Sequence, residues 1–320
     1  MDLYRSVRAV TTASGDGAVD WDGVREAAKA GTRPGSLDLS PAERDGYAAD
    51  VRAARDRLQT VSGTEFDVPD RLTVQNRHHW IDANVDTFRR VMEPIEAEVK
   101  TLFPNVSRVA NTGTMAFTLG FLARHVLGQY DPLLLADDPE EHGLYFVHPN
   151  IRRVADELDV EYERFRRWIV FHEVAHAAEF GAAPWLPGYL ESRLESGVRT
   201  LSRGGLDREA FLDLDAAMTA VEGYAELLMD RAFDEEYADL REKVDERRDT
   251  GGGPVGRLVR RLLGLGLKRR QYERGTRFFE TVADECGLAA AGVVWERPEN
   301  LPTDAELDRP ELWIRRVDPC

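Results

Sequence analysis

The 320-residue chain is long enough to bury a sizeable core, in one large domain or two ordinary ones. Its 58 carboxylates outnumber 42 Lys and Arg, giving a formal charge of −16, and only four of the basic residues are Lys. Such a surface repels nucleic acid and anionic lipid as a whole and has its self-repulsion screened by salt, so the composition points to a halophile-like protein with no nucleic-acid or membrane partner.

The first residues, MDLYRSVRAVTTASGDG, lack the charged start, apolar core and cleavage site of a signal peptide. The most apolar stretch, Met115 to Leu127, is short for a bilayer and contains Arg124 and His125. A cytoplasmic location is expected. Cys286 and Cys320 are too few for a disulfide framework or a thiolate zinc site.

Residues 1–75 read as an acidic helical extension, and 76–320 as the main domain. Ser40-Pro41-Ala42-Glu43 starts a helix: Ser can cap an amide, Pro fits the first turn, and Glu can bond back to the cap. That helix is predicted to reach about Leu58. The next is expected from about Trp80 through Arg90, with Ile81, Val85 and Phe88 near helical spacing, until Pro94 interrupts it. His78 and His79 before it read as surface or packing residues.

Gly113 to Gly128 reads as a buried helix. Leu133–Ala136 and Leu144–Val147 are short apolar runs separated by the acidic segment Asp137–Gly143, which signals a β-hairpin. A helical pattern begins near Ile151, after His148-Pro149-Asn150. Further on, Thr250 to Pro254 is a Gly-rich break, and the basic segment after it is expected to pack its Arg stems on the body while their heads balance carboxylates. The stretch holding Pro298, Pro302 and Pro310 with Trp295 and Trp313 reads as an ordered wrap over the body.

The chemistry concentrates in Glu161 to Phe180, EYERFRRWIVFHEVAHAAEF. This fits one helix in which Phe165, Trp168, Ile169, His172, Ala175 and His176 share a face. Two histidines one turn apart can reach one Zn²⁺ from the same side, while Glu173, about 100° round the helix, stands beside the ion as a base. Chance would place roughly 0.01 to 0.02 HExxH motifs in a chain of this composition, so the match is a signal. The uncharged Val174, Ala175, Ala177 and Ala178 suit a helix buried beneath a cleft.

An open catalytic site needs a third protein ligand. No histidine follows His176, and the positions an extended HExxHxxGxxH motif would need for Gly and His hold Glu179 and Ala182, which excludes that arrangement. A downstream third ligand must be a carboxylate. The best candidate is Glu222, flanking the apolar stripe of a helix over Phe211–Ala232. Gly223 beside it carries a helix cost of about 1 kcal/mol, which a close helix–helix approach would explain. Glu226, one turn further, can accept a hydrogen bond from the far nitrogen of a ligand histidine. Glu179, Glu191, Glu195 and His148 are competing ligands, and Tyr189, Tyr224 and His148 are candidate oxyanion donors.

The HExxH motif followed by Glu-Gly-Tyr-Ala-Glu on a later helix resembles the gluzincins, whose third zinc ligand is a Glu with an acidic residue one turn beyond. More closely, the chain resembles a zincin-like family of actinobacterial and haloarchaeal proteins labelled zinc-dependent metalloprotease or coenzyme F-420 biosynthesis associated. The matching segments are LGQYD (127–131), FVHPNI (146–151), FRRWIVFHEVAH (165–176), PWL (184–186), VEGYAE (221–226) and RQYERG (270–275), within about 80–317. The resemblance implies a mainly α, zincin-like helical domain with a small β-hairpin near the active-site helix, zinc held by His172, His176 and Glu222, and Glu173 as catalytic base.

The expected reaction is hydrolysis of a peptide bond by metal-activated water. The alternatives are hydrolysis of a small amide or ester linked to deazaflavin coenzyme metabolism, and a non-catalytic zinc-stabilised scaffold closed by His148. The substrate is expected to lie along strand Leu144–Val147 by main-chain hydrogen bonds.

Overall fold

The computed structural model describes residues 2–14, 17–63, 66, 68–98, 104–131, 143–202, 207–233, 237–250 and 268–320. The chain is mainly helical: α1 (Leu3–Thr11), α2 (Trp21–Ala30), α3 (Pro41–Ser62), α4 (Arg77–Glu98), α5 (Pro104–His125), α6 (His148–Leu158), α7 (Tyr162–Ala182), α8 (Leu186–Ser202), α9 (Arg208–Ala232), α10 (Ala238–Thr250), α11 (Lys268–Cys286), α12 (Leu288–Gly292), α13 (Asp304–Asp308) and α14 (Pro310–Val317). Three short strands, β1 (Arg71–Gln75), β2 (Gly128–Asp131) and β3 (Gly143–Val147), form one sheet. No described helix is long and apolar enough to cross a membrane.

The capping box at α3 forms as its sequence predicts: Ser40 Oγ accepts from the Glu43 N–H at 3.2 Å, and the Glu43 carboxylate accepts from the Ser40 N–H at 2.8 Å. At α4, however, the helix passes through Pro94. Interior proline removes a backbone hydrogen bond and costs about 3 kcal/mol. Glu96 anchors the turn beyond it by accepting from Trp21 Nε1 and from the Ala18 N–H, each at 3.0 Å.

Two cores result. Helices α1, α2, α4 and α5 enclose Trp21, Val24, Trp80, Ile81 and Leu119, while α3, the sheet, α6 to α9 and the C-terminal helices share the larger one. These cores do not divide at residue 75: α3 joins the main core, and α4 and α5 join the first two helices. Trp295 and Trp313 are buried in the C-terminal wrap, and Trp313 Nε1 donates to the Asn300 carbonyl at 2.6 Å. The two cysteines meet in a disulfide joining the end of α11 to the terminal residue, a pairing the sequence analysis did not anticipate.

The sheet has the order β1-β3-β2, with β3 parallel to β1 and antiparallel to β2. The expected hairpin is shifted. Its second strand matches β3, but the partner is Gly128–Asp131, paired Gly128 to Phe146 and Asp131 to Gly143; Leu133–Ala136 lies outside the described residues. Because β3 is central, both its sides are occupied, so the strand expected to bind substrate cannot add another. The Gly-rich break after Thr250 and the start of the basic segment also lie outside the described residues.

Helix α9 packs between α7 and α11. Gly223 is the point of closest approach to α11: a Cβ there would lie 2.3 Å from the Gly275 carbonyl carbon, and one on Gly275 would lie 2.4 Å from the Thr219 oxygen. The neighbour that makes glycine necessary is therefore backbone, which cannot swing aside. Gly223→Ala should lower stability by about 3 kcal/mol or more. Gly188→Ala, whose Cβ meets nothing within 4 Å, should be neutral or slightly stabilising. Denaturant unfolding of the two variants beside the wild type checks both.

Candidate metal centre

Helix α7 is buried on nearly every side, with Phe165, Trp168, Val170, Phe171, Val174 and Ala175 in the core. Its apolar surroundings fix the helix rigidly and leave His172 and His176 facing α9, their rings 4.6 Å apart. The two Nε2 atoms are 3.3 Å apart, and Glu222 Oε2 on α9 lies 3.9 Å from each. A point equidistant from the corners of a triangle with those sides, 3.3, 3.9 and 3.9 Å, is about 2.2 Å from every corner, within the zinc–nitrogen and zinc–carboxylate range. Of all His, Cys, Asp and Glu among the described residues, these three alone gather as a possible metal site. Two imidazoles and one carboxylate match the borderline softness of zinc and leave a fourth position open.

His176 owes its orientation to Glu179, whose Oε2 lies 3.0 Å from His176 Nδ1. Glu179 is fully buried. With Nδ1–H donated to that carboxylate, the Nε2 lone pair faces the gap between the ligands. Burial works against a charged His176, but the hydrogen bond and charge of Glu179, with Glu222 and Glu173 nearby, outweigh it and raise the imidazole from 6.5 to about 9. Burial likewise raises Glu179 to about 7, against the pull of His176. Glu179, Glu222 and Glu173 thus surround His176 with carboxylates, a setting that favours a cation.

Glu173 stands beside the triad and not in it. Its Oε2 accepts from the Tyr130 N–H of β2 at 2.8 Å. A Cβ on Gly128 would lie 2.5 Å from Glu173 Cγ, so glycine at the start of β2 makes room for the carboxylate to reach the strand. This dependence on Gly128 and Tyr130 was not visible in the sequence, because it joins segments 43 residues apart.

The other candidates fall elsewhere. Glu226 is half-buried one turn beyond Glu222 on α9, where its charge adds to the burial that pushes Asp230 up to about 6. His148 is enclosed by Tyr47 and Tyr162, whose hydroxyls lie 3.2 and 3.1 Å from its Nδ1. Tyr224 packs edge-on against Phe279 and Trp295, about half a turn round α9 from Glu222. Tyr189 stacks edge-on to Trp185 and lies under the Arg193 guanidinium, while Glu195 pairs with Arg199. Glu191, like Glu195, is on α8 and outside the metal-binding group. Glu179 partners His176 in place of the ligand role its sequence position also allows; the spacing of three residues is the signal for that pairing.

A family model described as zincin-like metallopeptidase matches residues 19–207 and 196–314. A crystal structure from Chloroflexus aurantiacus, described as that of a candidate hydrolase with a novel fold, is 31% identical over 99% of this chain and 99% of that one, with a TM-score of 0.74. No curated protein matches.

Zinc titration against a chelator should show Glu222→Ala losing tight binding. Glu179→Ala should weaken affinity about 10- to 100-fold, and Glu179→Gln, whose amide oxygen can still accept from Nδ1–H, should lose less. Equal affinity in wild type and Glu222→Ala would remove Glu222 from the site.

Proposed function

Because the chain belongs to the zincin-like metallopeptidase family, we propose that it is a zinc-dependent hydrolase that cleaves peptide bonds, with His172, His176 and Glu222 as ligands and Glu173 as the proton carrier. The observation that carries this is the triangle of two imidazole nitrogens and one carboxylate oxygen, sized for zinc, with an anchored carboxylate at its side. A structural zinc site has no use for such a carboxylate.

Bound zinc supplies Lewis acidity, bringing the pKa of water toward neutrality and polarising a carbonyl. The protein's own groups do the rest. Glu173 takes the proton the water gives up and passes it to the leaving nitrogen, while the Tyr130 N–H keeps the carboxylate from swinging away. Glu179 holds His176 in the ligand tautomer.

Support for a peptide substrate comes from β2. It is an edge strand of the described sheet, and its Tyr130 N–H meets Glu173. A backbone edge beside the base suits an extended chain, which can be held by main-chain hydrogen bonds.

Zinc-loaded protein, assayed in high salt against a quenched-fluorescence peptide library, should cleave peptides. Glu173→Gln should reduce turnover about 10²- to 10⁴-fold with zinc stoichiometry unchanged. Full activity in Glu173→Gln would sink the mechanism. Turnover of small amides without peptides would replace the substrate class and leave the ligand set standing.

A further inference from the structure

The back of the α7–α9 pair holds a second feature, away from the imidazoles. A cavity of about 230 Å³ opens between the end of α3, α7, α9 and the segment after α11. Ala178 and Ala182 form its α7 wall, and Ala178 is about half a turn round that helix from His176. Tyr224 and Leu228 form the α9 wall, and Trp295 closes the far side. The cavity therefore lies on the face of the helix pair opposite the imidazoles and is not part of the proposed substrate path.

Its walls are held open by groups bonded elsewhere. Gln59 Nε2 donates to the Phe66 carbonyl at 2.7 Å, Asn300 Nδ2 to the Val293 carbonyl at 2.7 Å, and Trp185 Nε1 to the Trp295 carbonyl at 2.9 Å. The lining is apolar apart from a few groups. Tyr224 is 4% exposed, and its hydroxyl reaches to within 3.5 Å of where a Cβ on Gly292 would lie, on the cavity wall. Trp295 Nε1, on a side chain 2% exposed, is buried and lacks a partner among the described residues. A buried N–H left unsatisfied costs stability and recovers it by donating to a ligand oxygen. At the rim stand Ser62 and the exposed carboxylate of Glu296, which disfavours anions.

We propose that this cavity is a binding site for a small uncharged aromatic molecule carrying one hydrogen-bonding oxygen, seated between Phe66, Leu228 and Trp295 with its oxygen shared by the Trp295 Nε1–H and the Tyr224 hydroxyl. The volume holds a single ring with a short substituent, below the size of a drug-like pocket. Ala178, Ala182 and Gly292 keep the space clear, because larger side chains there would fill it.

Benzyl alcohol is the probe, titrated into the full-length protein by calorimetry and by chemical-shift changes, with benzoate as the anionic control. Saturable binding of one benzyl alcohol per chain in the millimolar range or tighter, with at least about tenfold weaker benzoate binding, is expected. Tyr224→Phe should weaken benzyl alcohol by about fivefold, and Ala182→Phe, which fills the cavity, should abolish binding with the thermal midpoint retained. No saturable binding to the wild type would overturn the proposal. So would wild-type affinity in folded Tyr224→Phe protein, which stands as the test should Ala182→Phe fail to fold.

Discussion

The packing of α7 against α9 sets the distance between two imidazoles and one carboxylate, and nearly every other feature of the molecule serves that spacing. Helix α9 cannot drift, because Gly223 presses it against Gly275 of α11 with no side chain between them. Helix α7 cannot drift either, sheathed by Phe165, Trp168, Phe171 and Val174 against the rest of the core. With both backbones held, His172, His176 and Glu222 meet at a separation suited to one zinc ion, and the ligands need little rearrangement to close on it.

Charge follows from the same packing. Glu179 and Glu222 are buried against the histidines, and their charges raise His176 to about 9 despite its desolvation. Burying two carboxylates beside two imidazoles is costly unless a cation shares the pocket. Glu173 is kept apart from this group by its hydrogen bond to the Tyr130 N–H, so the carboxylate proposed to carry protons stays distinct from Glu179 and Glu222.

Much of the centre was legible in the sequence because it obeys helical periodicity. The HEVAH spacing places His172 and His176 on one face, and the cost of Gly223 beside Glu222 pointed to a close helix approach, which α11 provides. The Ser40 capping box was readable for the same local reason. Contacts between distant segments were not. β1 pairs with β3 from a distant segment, and Gly128–Asp131, sequence GQYD, lacks the apolar run that marks a strand, so the apolar pattern points to Leu133–Ala136 in place of Gly128–Asp131. Pro94 was read as a stop because the anchoring of Glu96 by Trp21 bridges 75 residues. Glu179 was visible as a carboxylate at the right spacing, but whether it would bind metal or orient His176 depended on which way its side chain turned.

X-ray absorption at the zinc edge of the loaded wild-type protein bears most directly on the ligand set. The account predicts two imidazole nitrogens and carboxylate oxygen at about 2.0 to 2.2 Å, with an additional light atom completing four-coordination. A shell containing sulfur, a single imidazole, or six oxygen ligands would contradict it.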